Sequence, residues 1–104
     1  MFSERGNTAI DEISKVATGE TPRLHILDLS KSSSVHLFAS QFKNEVSQLY
    51  CLVNNAGCMV NTRTVNEDGL EMNFATNTLG MYILTNGLLD SITDRSDFCR
   101  FLRN

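Results

Sequence analysis

Residues 23–53 constrain this chain more than any other stretch, because they read as strand, helix, strand. In the run RLHILDL, residues 23–29, Leu24, Ile26, Leu27 and Leu29 leave almost no polar face, the pattern of a strand buried on both sides of a parallel sheet. After a polar start at residues 30–34, Val35, Phe38, Ala39, Phe42, Val46 and Leu49 share one helical face. A second strand, Tyr50-Cys51-Leu52-Val53, runs directly into Asn54-Asn55-Ala56-Gly57. Strand, helix and strand within about 30 residues is the βαβ unit, whose crossover is right-handed. The spacing therefore predicts an α/β fold with two parallel-type strands.

Two further helices complete three in all. Ala9, Ile10, Ile13, Val16 and Ala17 fall on one stripe, with Asn7 as N-cap and Gly19 placed to end the helix. Thr21-Pro22 then breaks the period. The longest periodic segment runs over residues 69–92, where Leu70, Phe74, Met81, Leu84, Leu88 and Ile92 form the stripe. The seven-residue gap between Phe74 and Met81 has Asn77 at its missing rung. An amide on an inward face must find a partner, because leaving it unbonded costs roughly 1–3 kcal/mol. Residues 93–104 have no clear period and stay unassigned.

Composition narrows the function classes. The 104 residues suit one small domain, since domains run to about 100–150 residues. A hydrophobic content of 41% is that of a globular chain and not of a disordered tail. With 20% charged residues and a net charge of −3, no nucleic-acid-binding surface is expected. No apolar run approaches the roughly 18–20 residues of a membrane helix, and MFSERGNTAIDE lacks the apolar core of a signal peptide. Three cysteines, at positions 51, 58 and 99, make no disulfide framework, so a cytoplasmic setting is expected. Cys51 and Cys58 have the wrong spacing for a zinc knuckle and the only histidines are His25 and His36, so no metal site is expected.

Three places carry candidate chemistry. Asp28 ends the first strand, where open parallel sheets bind ligands; its carboxylate could accept from a ribose or an adenine amino group, or simply start the following helix. Asn54, Asn55, Ala56 and Gly57 lie at the matching end of the second strand. Paired amides bridge neighbouring backbone and Ala-Gly admits a flat ligand, although a plain turn uses the same residues. Asn77 either pairs with adjacent backbone, holding a water or a kink that Gly80 permits, or serves a site directly.

The runs LHILDL, LVNNAG and FATNTLGMYILT, in this order and spacing, resemble the short-chain dehydrogenase/reductase family of NAD(P)-dependent oxidoreductases over residues 5–92. The Asn-x-x-Gly of the long helix begins 23 residues beyond Asn54. The resemblance implies a partial Rossmann (doubly wound) fold, with residues 1–104 as the middle portion of a cofactor-binding domain. It makes Asp28 the acidic contact to adenine, with Leu29 beside it, and lays Asn54–Gly57 against the cofactor ribose. Asn77 then matches the asparagine of the family's Asn-Ser-Tyr-Lys tetrad, whose backbone holds a water of the proton relay.

The departures are as informative as the matches. Glycines stand at 6, 19, 57, 69, 80 and 87, so no G-x-G turn exists to deliver a pyrophosphate to a helix N-terminus. Four residues after Tyr50 and Tyr82 come Asn54 and Asn86, not lysine, and Lys15, Lys31 and Lys43 all precede NNAG. Ser91 and Ser96 come too early for the family's catalytic serine. In the family's strand order, 3-2-1-4-5-6-7, the two strands here would be 3 and 4, which are not neighbours. The expectation is a truncated oxidoreductase of carbonyl or alcohol substrates, inactive alone, binding no NAD or NADP by itself and marginally stable. The alternatives are an interaction module, joining a second copy or a full-length subunit through the helix at residues 69–92, or a non-functional splice or gene-model product.

Overall fold

The computed structural model describes residues 2–93 and 102–103. Helix α1 (Phe2–Val16) has Glu4 in its first turn and Lys15 in its last, each matched to the helix dipole. Asn7 is therefore interior to α1 and not its cap, a correction to the sequence reading. The helix closes with Ala17 N–H donating to the Ile13 carbonyl at 2.8 Å. Its apolar stripe is not covered: Ile13 is 48% and Val16 82% exposed. Gly6 meets Leu24, and a Cβ at position 6 would stand 2.6 Å from Leu24 Cδ1.

Residues 23–29 form no strand ladder among the described residues, which corrects the first of the two expected strands. A strand exists through its neighbour's hydrogen bonds, and no described segment lies in register beside this one. The side chains still sort themselves. Leu27 and Leu29 pack against the core, whereas Ile26 is 61% exposed. His25 sets its ring edge-on to Phe38 and Phe42, each at 5.8 Å between centroids.

Helix α2 (Ser32–Glu45) buries Val35 and Ala39. It ends where Val46 turns extended and donates to the Phe42 carbonyl at 2.8 Å, earlier than the apolar spacing to Leu49 suggested. Strand β1 (Val53–Asn54) pairs in parallel with β2 (Leu102–Arg103), in the register Val53 to Leu102 and Asn54 to Arg103. The two expected strands thus do not pair with each other. The partner comes from the tail that had no period.

The long helix begins as α3 (Met72–Phe74), widens into a π-helical segment (Ala75–Gly80) and continues as α4 (Met81–Thr93). The wide turn falls where Asn77 interrupts the apolar stripe. A π-turn closes i→i+5 and inserts one residue into the helical count, so the face upstream rotates. Ala75 goes inward and is buried, while Phe74, expected on the stripe, is 49% exposed. Downstream the stripe holds, with Leu84, Leu88 and Ile92 buried.

The core is the seam between α2 and α4, where Val35, Ala39, Leu84 and Leu88 meet. Two glycines bring elements close on this side. A Cβ on Gly87 would approach the Ala39 Cβ to 2.8 Å, and one on Gly80 would collide with the Leu29 carbonyl oxygen. No helix among the described residues is long and apolar enough to cross a membrane, and no group of metal-ligating side chains gathers among them.

Candidate nucleotide cleft

The ends of residues 23–29 and of β1 converge on one open cleft of 430 Å³. It is lined by residues 25–29, by Ala56 and Gly57 just after β1, and by Thr76 of the π-helical segment. Asp28, Leu29, Ala56 and Gly57, four of the seven residues singled out in the sequence, therefore share it. The lining is mainly apolar with a carboxylate on the rim, and its size lies within the roughly 300–1,000 Å³ of small-molecule sites.

Asp28 is shaped by its own turn. Oδ1 accepts from Ser30 N–H at 3.0 Å and from Ser30 Oγ at 2.6 Å. Lys31 N–H closes the turn onto the Asp28 carbonyl at 3.3 Å. The residue is exposed, so its carboxylate is held at one oxygen and remains accessible to a ligand. Asn66 anchors this turn from across the chain, its Nδ2 donating to the Ser30 carbonyl at 2.8 Å. The same side chain accepts from Asp68 and Leu70 N–H through Oδ1 at 3.0 and 2.9 Å. Gly69 adopts a φ of +76° there, which its missing Cβ permits.

Opposite, Asn54 faces away from the cleft and donates through Nδ2 to Thr85 Oγ1 of α4 at 3.2 Å. Asn55 is exposed. Asn77 stands behind Gly57 with both ends of its amide on one residue. Cys58 N–H donates to Oδ1 at 2.8 Å, and Nδ2 donates to the Cys58 carbonyl at 2.7 Å. The side chain of Asn77 therefore ties the wide turn to the backbone of Cys58, a partner 19 residues away and not the adjacent helical backbone that the sequence reading had offered.

Two neighbours were missed by the sequence reading. Asn73, one turn earlier, accepts from Val60 N–H at 2.8 Å and donates to the Val60 carbonyl at 3.0 Å. Glu71 is the N-cap of α3 and accepts from Asn73 and Phe74 N–H at 3.0 and 2.8 Å. Those backbone bonds, Phe74 first, hold its carboxyl below the ordinary value of 4.5, with smaller help from the Asn73 side chain and Arg63. Two asparagines four residues apart, preceded by an acidic residue, were the available signal.

Three comparisons bear on this geometry. Residues 2–97 match the family model described as short chain dehydrogenase. Dehydrogenase/reductase SDR family member 12 of Homo sapiens is 49% identical over 86 residues, covering 83% of this chain and 27% of that protein. Retinol dehydrogenase 11 of Mus musculus is 34% identical over 91 residues, covering 88% and 29%. The chain thus spans between a quarter and a third of the length of these relatives. Among solved structures, an alcohol dehydrogenase from the archaeon Thermococcus sibiricus, complexed with 5-hydroxy-NADP, superposes with a TM-score of 0.66 at 25% identity, over 86% of this chain and 38% of that one.

Proposed function

The chain belongs to the short-chain dehydrogenase family, with the family's Rossmann-like α/β fold, and on that premise we propose that its residues supply the adenosine-side wall of an NAD(P)-dependent oxidoreductase acting on carbonyl and alcohol substrates. The observation that carries the reading is the cleft, which joins Asp28 and Leu29 to Ala56 and Gly57 across the βα turns. A nicotinamide cofactor, when bound, supplies the hydride acceptor or donor of the family's chemistry.

The residues of this chain fit one half of such a cofactor. Asp28 offers a carboxylate acceptor on the rim, already oriented by Ser30, for an adenine amino group or a ribose hydroxyl. Leu29 gives an apolar face beside it, and Ala56 and Gly57 present backbone with little side chain, so a flat ring or ribose approaches closely. Asn54 braces β1 against α4, and Asn55 belongs to the same turn. Asn77 fixes Cys58 behind Gly57. With its side chain committed there, its backbone in the wide turn is the part left to hold a relay water.

The other half finds no counterpart in these 104 residues, which contain neither a G-x-G turn nor Tyr-x-x-x-Lys. We therefore expect the chain by itself to transfer no hydride and to hold NAD or NADP no tighter than millimolar. Fluorescence titration of the purified chain with NADH and NADPH, beside an assay of carbonyl reduction, tests this. Micromolar affinity or turnover would overturn it.

A second reading has its own observation. Phe74, Tyr82 and Leu89 of the long helix are exposed apolar or aromatic side chains, and Tyr82 and Leu89 stand seven residues apart on one face. That face suits association with a second copy or a full-length family subunit. Co-expression and co-purification decide it, and recovery of the chain alone sinks it. The odd cysteine count favours a cytoplasmic location, which cell fractionation tests.

A further inference from the structure

We propose that Asn73 is a positioning residue for the cleft wall, acting through Val60 and Cys58 as the second rung of a two-amide ladder. Asn73 of α3 and Asn77 of the π-helical segment are four residues apart, and both turn their amides to residues 58–60. Cys58 and Val60 are two residues apart on the facing segment, about 6.8 Å if extended, and alternate backbone positions there point the same way. Each amide meets one residue at both N–H and carbonyl, with four bonds between 2.7 and 3.0 Å. The helix serves residues 58–60 as a neighbouring strand would.

Asn73 is also set in one orientation. Its Nδ2 donates to Glu71 Oε1 at 3.0 Å as well as to the Val60 carbonyl, and an ionised carboxylate can only accept, so Oδ1 is the end that meets Val60 N–H. Cys58 Sγ lies 3.7 Å from that same Oδ1, which ties the two rungs together. A single amide on Cys58 would leave the segment free to pivot. Two rungs fix its direction, and with it Gly57, the residue before Cys58 that lines the cleft.

That this matters to a nucleotide rests on the cleft reading above, and the experiment separates the two. Amide hydrogen exchange is measured by NMR on the whole chain, wild type, Asn73→Ala and Asn73→Asp, with and without millimolar ADP-ribose. In Asn73→Ala, Val60 N–H should exchange about tenfold faster, the loss of one hydrogen bond, while Val35 and Leu88 in the core stay within about twofold. Asn73→Asp keeps an acceptor for Val60 N–H but sets a second carboxylate against Glu71 Oε1 and the Val60 carbonyl, so it should lose protection as Asn73→Ala does. ADP-ribose shifts at Ala56 and Gly57 should shrink in Asn73→Ala while those at Asp28 persist. Unchanged Val60 exchange, an equal loss at Val35 and Leu88, or full protection of Val60 in Asn73→Asp would each overturn the proposal. An absence of ADP-ribose shifts in the wild type would overturn the cleft reading, leaving Val60 exchange to decide the role of Asn73.

Discussion

Gly80 lies directly against Leu29, so close that a Cβ on the helix would run into the Leu29 carbonyl oxygen and stand 3.0 Å from its carbonyl carbon. The end of the π-helical segment and one wall of the cleft are thus a single packed unit. Gly80→Ala gains about 1 kcal/mol of helix propensity, but backbone must move to admit the methyl, at about 1–3 kcal/mol. The expected outcome is a net loss of up to about 2 kcal/mol in urea unfolding followed by circular dichroism. A stabilised variant would show that the contact yields freely.

Asn77 answers for both backbone groups of Cys58. Asn77→Ala should cost about 1–3 kcal/mol, because the half-buried N–H and carbonyl lose their partners together. The loss is read from the same urea transition. Asn86→Ala is the control, since its Nδ2 bonds only the exposed Tyr82 carbonyl, and it should stay within about 0.5 kcal/mol.

The sequence made the helices legible because their period is local. The seven-residue gap around Asn77 even marked the wide turn. What the same stripe could not show was its consequence, the rotation that exposes Phe74 and buries Ala75. Residues 23–29 misled for a different reason: apolar content says that a segment can be a strand, but only a partner makes it one. Four cleft residues were legible from their place after strand-like runs, whereas Asn73 and Glu71 were hidden, one as a helix residue and the other as ordinary surface charge.

The N-cap of α3 should make the chain sensitive to acid. Glu71 has its carboxyl pKa lowered from 4.5, chiefly by the Phe74 and then the Asn73 backbone N–H. A depressed folded-state pKa means stability that is complete above the unfolded value and lost as pH falls through the folded one. Thermal melts of wild type should therefore fall below about pH 4.5. Glu71→Gln, which retains an acceptor oxygen without the titrating proton, should melt lower at neutral pH and converge with wild type in acid. Parallel curves across that range would remove Glu71 from the account.

Helix α1 should be the least consequential part of the stability. Its apolar stripe leaves Ile13 and Val16 largely in water, so little burial is lost when they become polar. The double variant Ile13→Glu, Val16→Lys should change the urea midpoint by no more than about 0.5 kcal/mol of stability, the range of ordinary surface substitutions. Leu88→Ala, at a side chain 2% exposed in the seam with α2, should cost about 2–5 kcal/mol by comparison. The contrast matters because α1 is strongly two-faced, and a covered stripe would have made both substitutions severe. If the α1 variant unfolds as readily as Leu88→Ala, the helix packs on the core in solution.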